Sequence, residues 1–256
     1  MNNRIPLTAA GVLLATTTFP VAQAEDGYDA PAVWPSPVVE HNMGMALFDR
    51  LEYAVPDKGE EAVVWDFQAW YGSDVNRVYL KSEGDNVQGD GEDAEFESLE
   101  LLYSRLVADF WELQGGIGYQ GGVFSDDHAE RTYGVVGLQG VMPYGIETDV
   151  ALQVSEEGDV SASFEGEYDL RLTQRLYLQP RTEIAVAASE VEEFGVGEGL
   201  NSVRVGMRLG YEVTRRFAPY VGTYWEKQYG DTADLSRAGG DATEDTGVVA
   251  GVRLMF

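Results

Sequence analysis

Cysteine is absent from this 256-residue sequence, and basic residues are scarce. The lack of cysteine excludes a fold that is held together by disulfide bonds. Lysine and arginine total 17 against 44 aspartate and glutamate residues, a formal net charge of -27. This balance argues against nucleic-acid binding, which needs a basic face. A mean hydropathy of -0.22 leaves little room for several apolar helical spans, so a helical membrane protein is also disfavoured.

Glycine and aromatic residues are abundant instead, with 30 glycines and an aromatic fraction of 11%. Hydrophobic residues make up 44% of the chain, which does not suggest disorder. The mixture suits strands that face two different solvents. The length fits a single large all-β unit.

The first 24 residues have the pattern of a secretory signal peptide. Arg4 supplies the positive start, Leu7 to Phe19 form a short apolar stretch, and Ala22-Gln23-Ala24 is a small-residue cleavage site. The apolar stretch is too short to span a membrane. We therefore expect an exported protein that is cleaved after Ala24.

The segment that follows resists regular structure. Residues 25–42 contain Pro31, Pro35 and Pro37 and show no hydrophobic period. We interpret this segment as a flexible periplasmic arm that precedes a barrel domain at 43–256.

The remainder of the chain alternates with a period of two. In the segment 160–172, even positions such as Phe164 are apolar, whereas odd positions such as Glu165 are charged. A helix would scatter these charges around its axis, so the pattern indicates a strand. The same alternation recurs over 146–154 and 203–213.

This alternation fits either a soluble sandwich or a transmembrane barrel. Two features favour the barrel: short turns alternate with longer acidic loops, and the last strand ends on the aromatic Phe256. We predict an all-β transmembrane antiparallel β-barrel of about twelve strands, with short periplasmic turns and longer acidic extracellular loops. The predicted strands are 44–55, 62–71, 75–83, 96–107, 110–120, 131–141, 146–154, 160–172, 175–188, 200–214, 217–228 and 246–256.

The charged faces of these strands must point into the barrel, because charges that face lipid are costly near the midplane. Both signs are present there. One interpretation is a polar conduit whose carboxylates attract cations, with Asp66, Glu165 and Glu167 as the expected contacts together with Glu52. The other is a structural network of salt bridges that fills a narrow barrel. The two interpretations are compatible if the network can rearrange.

A second candidate site lies just before the first strand. His41, Met43 and Met45 are spaced two residues apart, so in an extended segment all three side chains point the same way. Thioether and imidazole ligands suit copper better than Mg²⁺ or Ca²⁺. Glu52 could add an oxygen ligand inside the mouth. The alternative is an ordinary linker, since three ligands on a flexible arm form at best a weak site.

Catalysis is not expected. The chain has two histidines, of which His41 lies in the arm and His128 in a predicted loop, and neither has a convincing nucleophile beside it. The acidic loop segments 84–97, 125–130 and 189–198 could gather divalent cations. The more usual meaning of such charge runs is a solvated surface.

Several stretches resemble the copper resistance protein B family. The most specific are LTQRLYLQPR at 172–181 and RRFAPYVG at 215–222, and the resemblance runs from about Leu47 to Phe256. Also similar are WDFQAWYGSDVNRVYLKSEG at 65–84, GLQGVMPYG at 137–145 and the C-terminal VAGVRLMF.

The resemblance implies an outer-membrane barrel that helps bacteria to survive excess copper, with copper ions as ligand or cargo. It also implies outer-membrane lipid as the surroundings and a periplasmic copper oxidase or copper carrier as a partner. Family members usually carry an N-terminal region rich in Met, His and Asp, which here has shrunk to the stretch from His41 to Met45. The alternative is a generic narrow channel or a structural barrel without metal specificity.

Overall fold

The protein is a closed antiparallel β-barrel. The structure, a computed structural model, describes residues 41–87, 95–122, 130–191 and 194–256. The sheet closes because β1 pairs with β13 and β10 pairs with β11. The strands are β1 Met43–Pro56, β2 Ala62–Gly72, β3 Asn76–Val87, β4 Glu95–Ala108, β5 Trp111–Gly122, β6 Arg131–Met142, β7 Ile146–Ser155, β8 Val160–Tyr168, β9 Leu170–Arg171, β10 Leu176–Ala187, β11 Gly199–Tyr211, β12 Phe217–Gln228 and β13 Glu244–Met255.

The wall has twelve crossings, because β8 and β9 are two parts of one strand and both pair with β10. The sequence predicted one continuous strand here, and the structure interrupts it at Asp169. Pro180 of β10 lies opposite the interruption, between Leu178, which pairs with Leu170, and Arg181, which pairs with Glu167. Proline has no N–H to donate to the ladder, and this explains the break. The predicted barrel of about twelve strands is confirmed.

The two ends of the barrel differ in the length of their connections. One end carries the turns 73–75, 109–110, 143–145, 172–175 and 212–216, together with Phe256. The other end carries the connections 57–61, 88–94, 123–130, 156–159, 188–198 and 229–243. Short turns face the periplasm in bacterial barrels of this kind, so the first end is the periplasmic one.

One helix was not predicted. The sequence analysis placed no regular element between the predicted strands 217–228 and 246–256, but α1 spans Gly230–Gly239 there. The helix is tied to the loop before β11, since the Thr232 hydroxyl accepts hydrogen bonds from the Gly197 backbone N–H at 2.9 Å and from the Asn201 amide at 2.8 Å. Among the described residues, no helix is long and apolar enough to cross a membrane.

Apolar side chains cover the outside of the wall, whereas the interior holds mostly polar side chains together with a small buried cluster of Tyr79, Leu102, Tyr133 and Val135. Exposed positions include Leu80, Ile117, Val136, Leu152 and Val221, and all of them alternate with inward-facing neighbours. This outer surface suits the hydrocarbon layer of a bilayer.

Tyrosine rings lie over glycines inside the barrel. Gly118 pairs with Tyr133 across β5 and β6, and a Cβ atom added to this glycine would overlap the tyrosine ring. The same arrangement relates Gly210 to Tyr177. Aromatic rings that cover a glycine on the neighbouring strand stabilise curved sheets. This packing accounts for part of the high glycine and tyrosine content.

A buried ion pair connects β11 to β1 across the intervening strands β12 and β13. Arg208 donates to both carboxylate oxygens of Glu52, at 3.0 and 2.9 Å, and the Tyr220 hydroxyl donates to the same carboxylate at 3.1 Å. The Glu52 side chain is fully shielded from solvent. Its charge is therefore stabilised by these partners and not by water.

We predict that Gly118→Ala destabilises the barrel by about 1–3 kcal/mol, because the added methyl group displaces the Tyr133 ring from a filled interior. The midpoint of urea unfolding in lipid vesicles measures the change. Gly134→Ala is the control, since the nearest atom to its new Cβ would be the Val154 carbonyl oxygen at 4.0 Å. Equal midpoints for the two variants would contradict the packing argument.

We predict that Arg208→Met destabilises the barrel by about 3–5 kcal/mol, because it leaves the Glu52 carboxylate buried without a counter-charge. The double variant Glu52→Gln with Arg208→Met should recover most of this loss in the same unfolding assay. Arg215→Met, on an exposed turn, serves as the control. A double variant as unstable as the single one would show that the charge is not the cause.

Candidate metal pathway in the lumen

A cavity of about 620 Å³ occupies the periplasmic half of the lumen. Its outer part is bordered by the turn residues Asp74, Asp109 and Phe110, which places its opening at the periplasmic end. Its inner part is bordered by carboxylates from the middle of the strands. These carboxylates are Asp49, Asp66, Glu83, Glu165 and Glu167.

A single arginine gathers most of these inner carboxylates. Arg181 of β10 is 2% exposed and lies within ion-pair distance of four of them and of Glu183. The distances from its guanidinium nitrogens are 2.6 Å to Glu165, 2.8 Å to Glu183, 3.2 Å to Asp66, 3.3 Å to Asp49 and 3.6 Å to Glu167. A buried charge needs partners of this kind, because no water replaces them.

Arg50 adds a second guanidinium to the same layer. It contacts Asp66 at 3.3 Å and Glu183 at 3.0 Å, and its side chain is 6% exposed. The register of β1 shifts between Phe48 and Arg50, so the adjacent residues Asp49 and Arg50 are both buried. Such a bulge lets two neighbouring side chains point the same way. The sequence analysis therefore missed Asp49, which strict alternation directs towards lipid.

Three of the four predicted lumen contacts, Asp66, Glu165 and Glu167, come together in the structure. Asp66 and Glu165 share one nitrogen of Arg181, at 3.2 and 2.6 Å, and Glu167 lies two residues further along β8 on the same face. Glu83 joins them: one oxygen from each of Asp66, Glu83 and Glu165 lies within 4.8 Å of the other two. Alternation along β3 directs Glu83 into the lumen. Which side chains of other strands lie next to Glu83 depends on how the barrel closes.

Ion pairs also line the outer part of the cavity. Arg77 contacts Glu112 at 2.5 Å, and Lys81 contacts Asp149 at 2.5 Å across the lumen. Glu147 differs, since in the described part of the chain its side chain has neither an ion pair nor a hydrogen bond. The lumen thus combines a network of ion pairs with carboxylates that form no direct ion pair.

The arm ligands are placed at the periplasmic rim. Met43 and Met45 begin β1, and pairing of Met45 with Trp70 and of Leu47 with the lumen residue Gln68 puts both thioethers on the lumen face. His41 precedes the strand and is exposed.

Glu52, the fourth predicted copper ligand, is occupied elsewhere. Both of its oxygens accept hydrogen bonds from Arg208, and its side chain is inaccessible. A metal at Glu52 would first have to break this pair. His128 lies outside the described residues, as do parts of the three acidic loop segments.

The sequence profile described as "Copper resistance protein B precursor (CopB)" matches residues 42–256. Copper resistance protein B of Escherichia coli is 36% identical over 212 residues, which cover 83% of this chain and 69% of that protein. A copper resistance protein B homolog of Pseudomonas syringae pv. tomato is 34% identical over 208 residues, covering 81% and 68%.

The fold has a counterpart among solved structures. The NanC porin superposes with a TM-score of 0.51 at 13% sequence identity, covering 82% of this chain and 98% of the porin. At this identity the similarity concerns the barrel architecture alone. Together with the apolar outer wall and the family match, it confirms the expected location. The chain belongs to the copper resistance protein B family, and it is an outer-membrane β-barrel with a role in copper resistance.

Proposed function

We propose that the barrel binds copper ions at its periplasmic mouth and passes them across the outer membrane through its lumen. The observation that carries the proposal is the acidic cavity, which opens at the periplasmic end and reaches the middle of the barrel. The proposal is non-enzymatic. A periplasmic copper oxidase or copper carrier would deliver or receive the ion at the mouth.

The charge of the cavity favours cations over anions. Its lining holds ten carboxylates and three basic side chains, so the unpaired charge is negative. The carboxylates are Asp49, Asp66, Asp74, Glu83, Asp109, Glu112, Glu147, Asp149, Glu165 and Glu167, and the basic residues are Arg77, Lys81 and Arg253. Rings of carboxylates with low-dielectric walls concentrate cations and repel anions. Asp66, Glu165 and Glu167 are the proposed contacts at the inner end.

The arm supplies ligands of a different kind. His41, Met43 and Met45 offer one imidazole and two thioethers at the periplasmic end of the barrel, where the cavity also opens. Soft thioethers select Cu(I), whereas imidazole accepts either oxidation state. Met43 and Met45 are already ordered in β1, so only His41, which precedes the strand, would lose chain entropy on binding a metal. We leave Glu52 out of this ligand set, because Arg208 holds it.

A structural barrel is the second candidate, and the Arg181 layer favours it. Arg50 and Arg181 are both buried in the middle of the lumen and are held by several carboxylates. Passage of an ion requires these side chains to rearrange. If they cannot, the network serves to hold the barrel wall together.

For the arm, we expect modest affinity for copper, a preference for Cu(I) over Zn²⁺, and loss of most binding in the triple variant His41→Ala, Met43→Leu, Met45→Leu. Leucine keeps the side-chain volume and removes the sulfur, so the loss would report on ligation. Equilibrium competition with a coloured Cu(I) chelator measures it. Met207→Leu, a lipid-facing methionine, is the matched control. Equal binding by wild type and triple variant would make the arm a linker.

For the lumen, we expect purified protein in lipid vesicles to admit Cu(II) to an enclosed metal-sensitive dye faster than protein-free vesicles do. An anion of similar size should enter more slowly, because carboxylates outnumber basic groups along the cavity. Swelling in a neutral sugar gives the comparison. Sugar entry as fast as copper entry would indicate a generic channel, and no entry of either would indicate a structural barrel.

A further inference from the structure

Three carboxylates from three strands converge at the inner end of the lumen cavity. Asp66 of β2, Glu83 of β3 and Glu165 of β8 each place one oxygen within 4.8 Å of the other two. All three line the cavity, so an ion that enters from the periplasmic end can reach them. Oxygen atoms at this spacing can surround one metal ion.

The neighbouring arginines leave oxygens of this cluster free. Arg50 and Arg181 both bind Oδ2 of Asp66, and Arg181 binds Oε2 of Glu165. Within the described ranges, no hydrogen bond reaches Oδ1 of Asp66 or Oε1 of Glu165, and Glu83 has neither an ion pair nor a hydrogen bond. The cluster therefore keeps carboxylate oxygens that no described donor occupies.

Glu167, on the same face of β8, provides an independent observation. It is 8% exposed and lines the same cavity, yet its Oε2 atom has no hydrogen-bond partner in the described part of the chain. The ion pair of this oxygen with Arg181 spans 3.6 Å, which is longer than a hydrogen bond. A buried carboxylate oxygen without a donor is costly unless a cation or proton accompanies it.

The charge around the cluster points the same way. Six carboxylates meet three guanidinium groups there, which leaves three negative charges without a counterpart when all are ionised. The carboxylates are Asp49, Asp66, Glu83, Glu165, Glu167 and Glu183, and the guanidinium groups belong to Arg50, Arg181 and Arg253. A divalent cation would neutralise most of this surplus.

We infer that Asp66, Glu83 and Glu165 form a divalent-cation site in the middle of the lumen, and that it takes Cu(II) and not Cu(I). Carboxylate oxygens are hard ligands, poorly matched to Cu(I), and among divalent first-row metals Cu(II) binds most sites most tightly. The inference rests on the proposed function only for the identity of the ion. It assigns a ligand class different from that of the arm.

Glu83→Gln is the sharpest test, because it removes one carboxylate without breaking an ion pair. The test uses the mature chain in detergent carrying the arm triple variant, titrated with Cu(II) and followed by electron paramagnetic resonance. We expect a spectrum without nitrogen splitting, as oxygen ligation gives. Glu83→Gln should lower the Cu(II) affinity of this site by at least about tenfold. Changes to residues that only contact a metal's ligands already cause losses of this size.

Glu147→Gln is the matched control, since it removes an unpaired carboxylate from the same cavity outside the cluster. It should leave the oxygen-ligated species unchanged, and both variants should keep the gel mobility of the folded barrel. Absence of this species in the parent protein, or equal binding by Glu83→Gln and Glu147→Gln, would overturn the inference. Because binding is measured without flux, failure of copper passage in vesicles would leave this result standing.

Discussion

A charged side chain on a strand that crosses a bilayer can point in only one direction. On the lipid face near the midplane, an arginine or lysine costs about 2–4 kcal/mol. Period-two alternation therefore sends the charges of every strand into one narrow lumen. The buried pair of Glu52 with Arg208 and the layer around Arg181 follow from this constraint, because charges confined together without bulk water must neutralise one another.

The neutralisation is incomplete, so the lumen keeps an excess of negative charge. The periplasmic cavity holds more carboxylates than basic groups, while Arg50 and Arg181 occupy the layer beyond it. Each carboxylate has two oxygens and each guanidinium is shared, so arginines can hold the wall together and still leave acceptors exposed to the cavity. The same side chains can therefore form the structural network and also serve the proposed cation pathway.

The sequence predicted the strands well, because each crossing repeats the same simple pattern of alternation. Side-chain directions and strand continuity were predicted less well wherever a single backbone feature interrupts that pattern. The bulge in β1 turns Asp49 inward, and Pro180 breaks the ladder opposite Asp169. Alternation placed Asp66, Glu83 and Glu165 in the lumen, but it could not show that they meet. Their meeting depends on strand stagger across the closed barrel, which no local pattern encodes.

The two proposed ligand sets differ in softness, and they lie at different depths of the barrel. Met43 and Met45 sit at the rim with His41 before them, whereas the carboxylates of Asp66 and Glu165 lie at the inner end. Thioethers prefer Cu(I), whereas carboxylates prefer Cu(II). Copper in a given oxidation state would therefore bind tightly to only one of the two sets and would dissociate readily from the other. Conduction requires sites that bind an ion without trapping it. A lumen with both proposed ligand sets would meet that requirement for copper in either oxidation state.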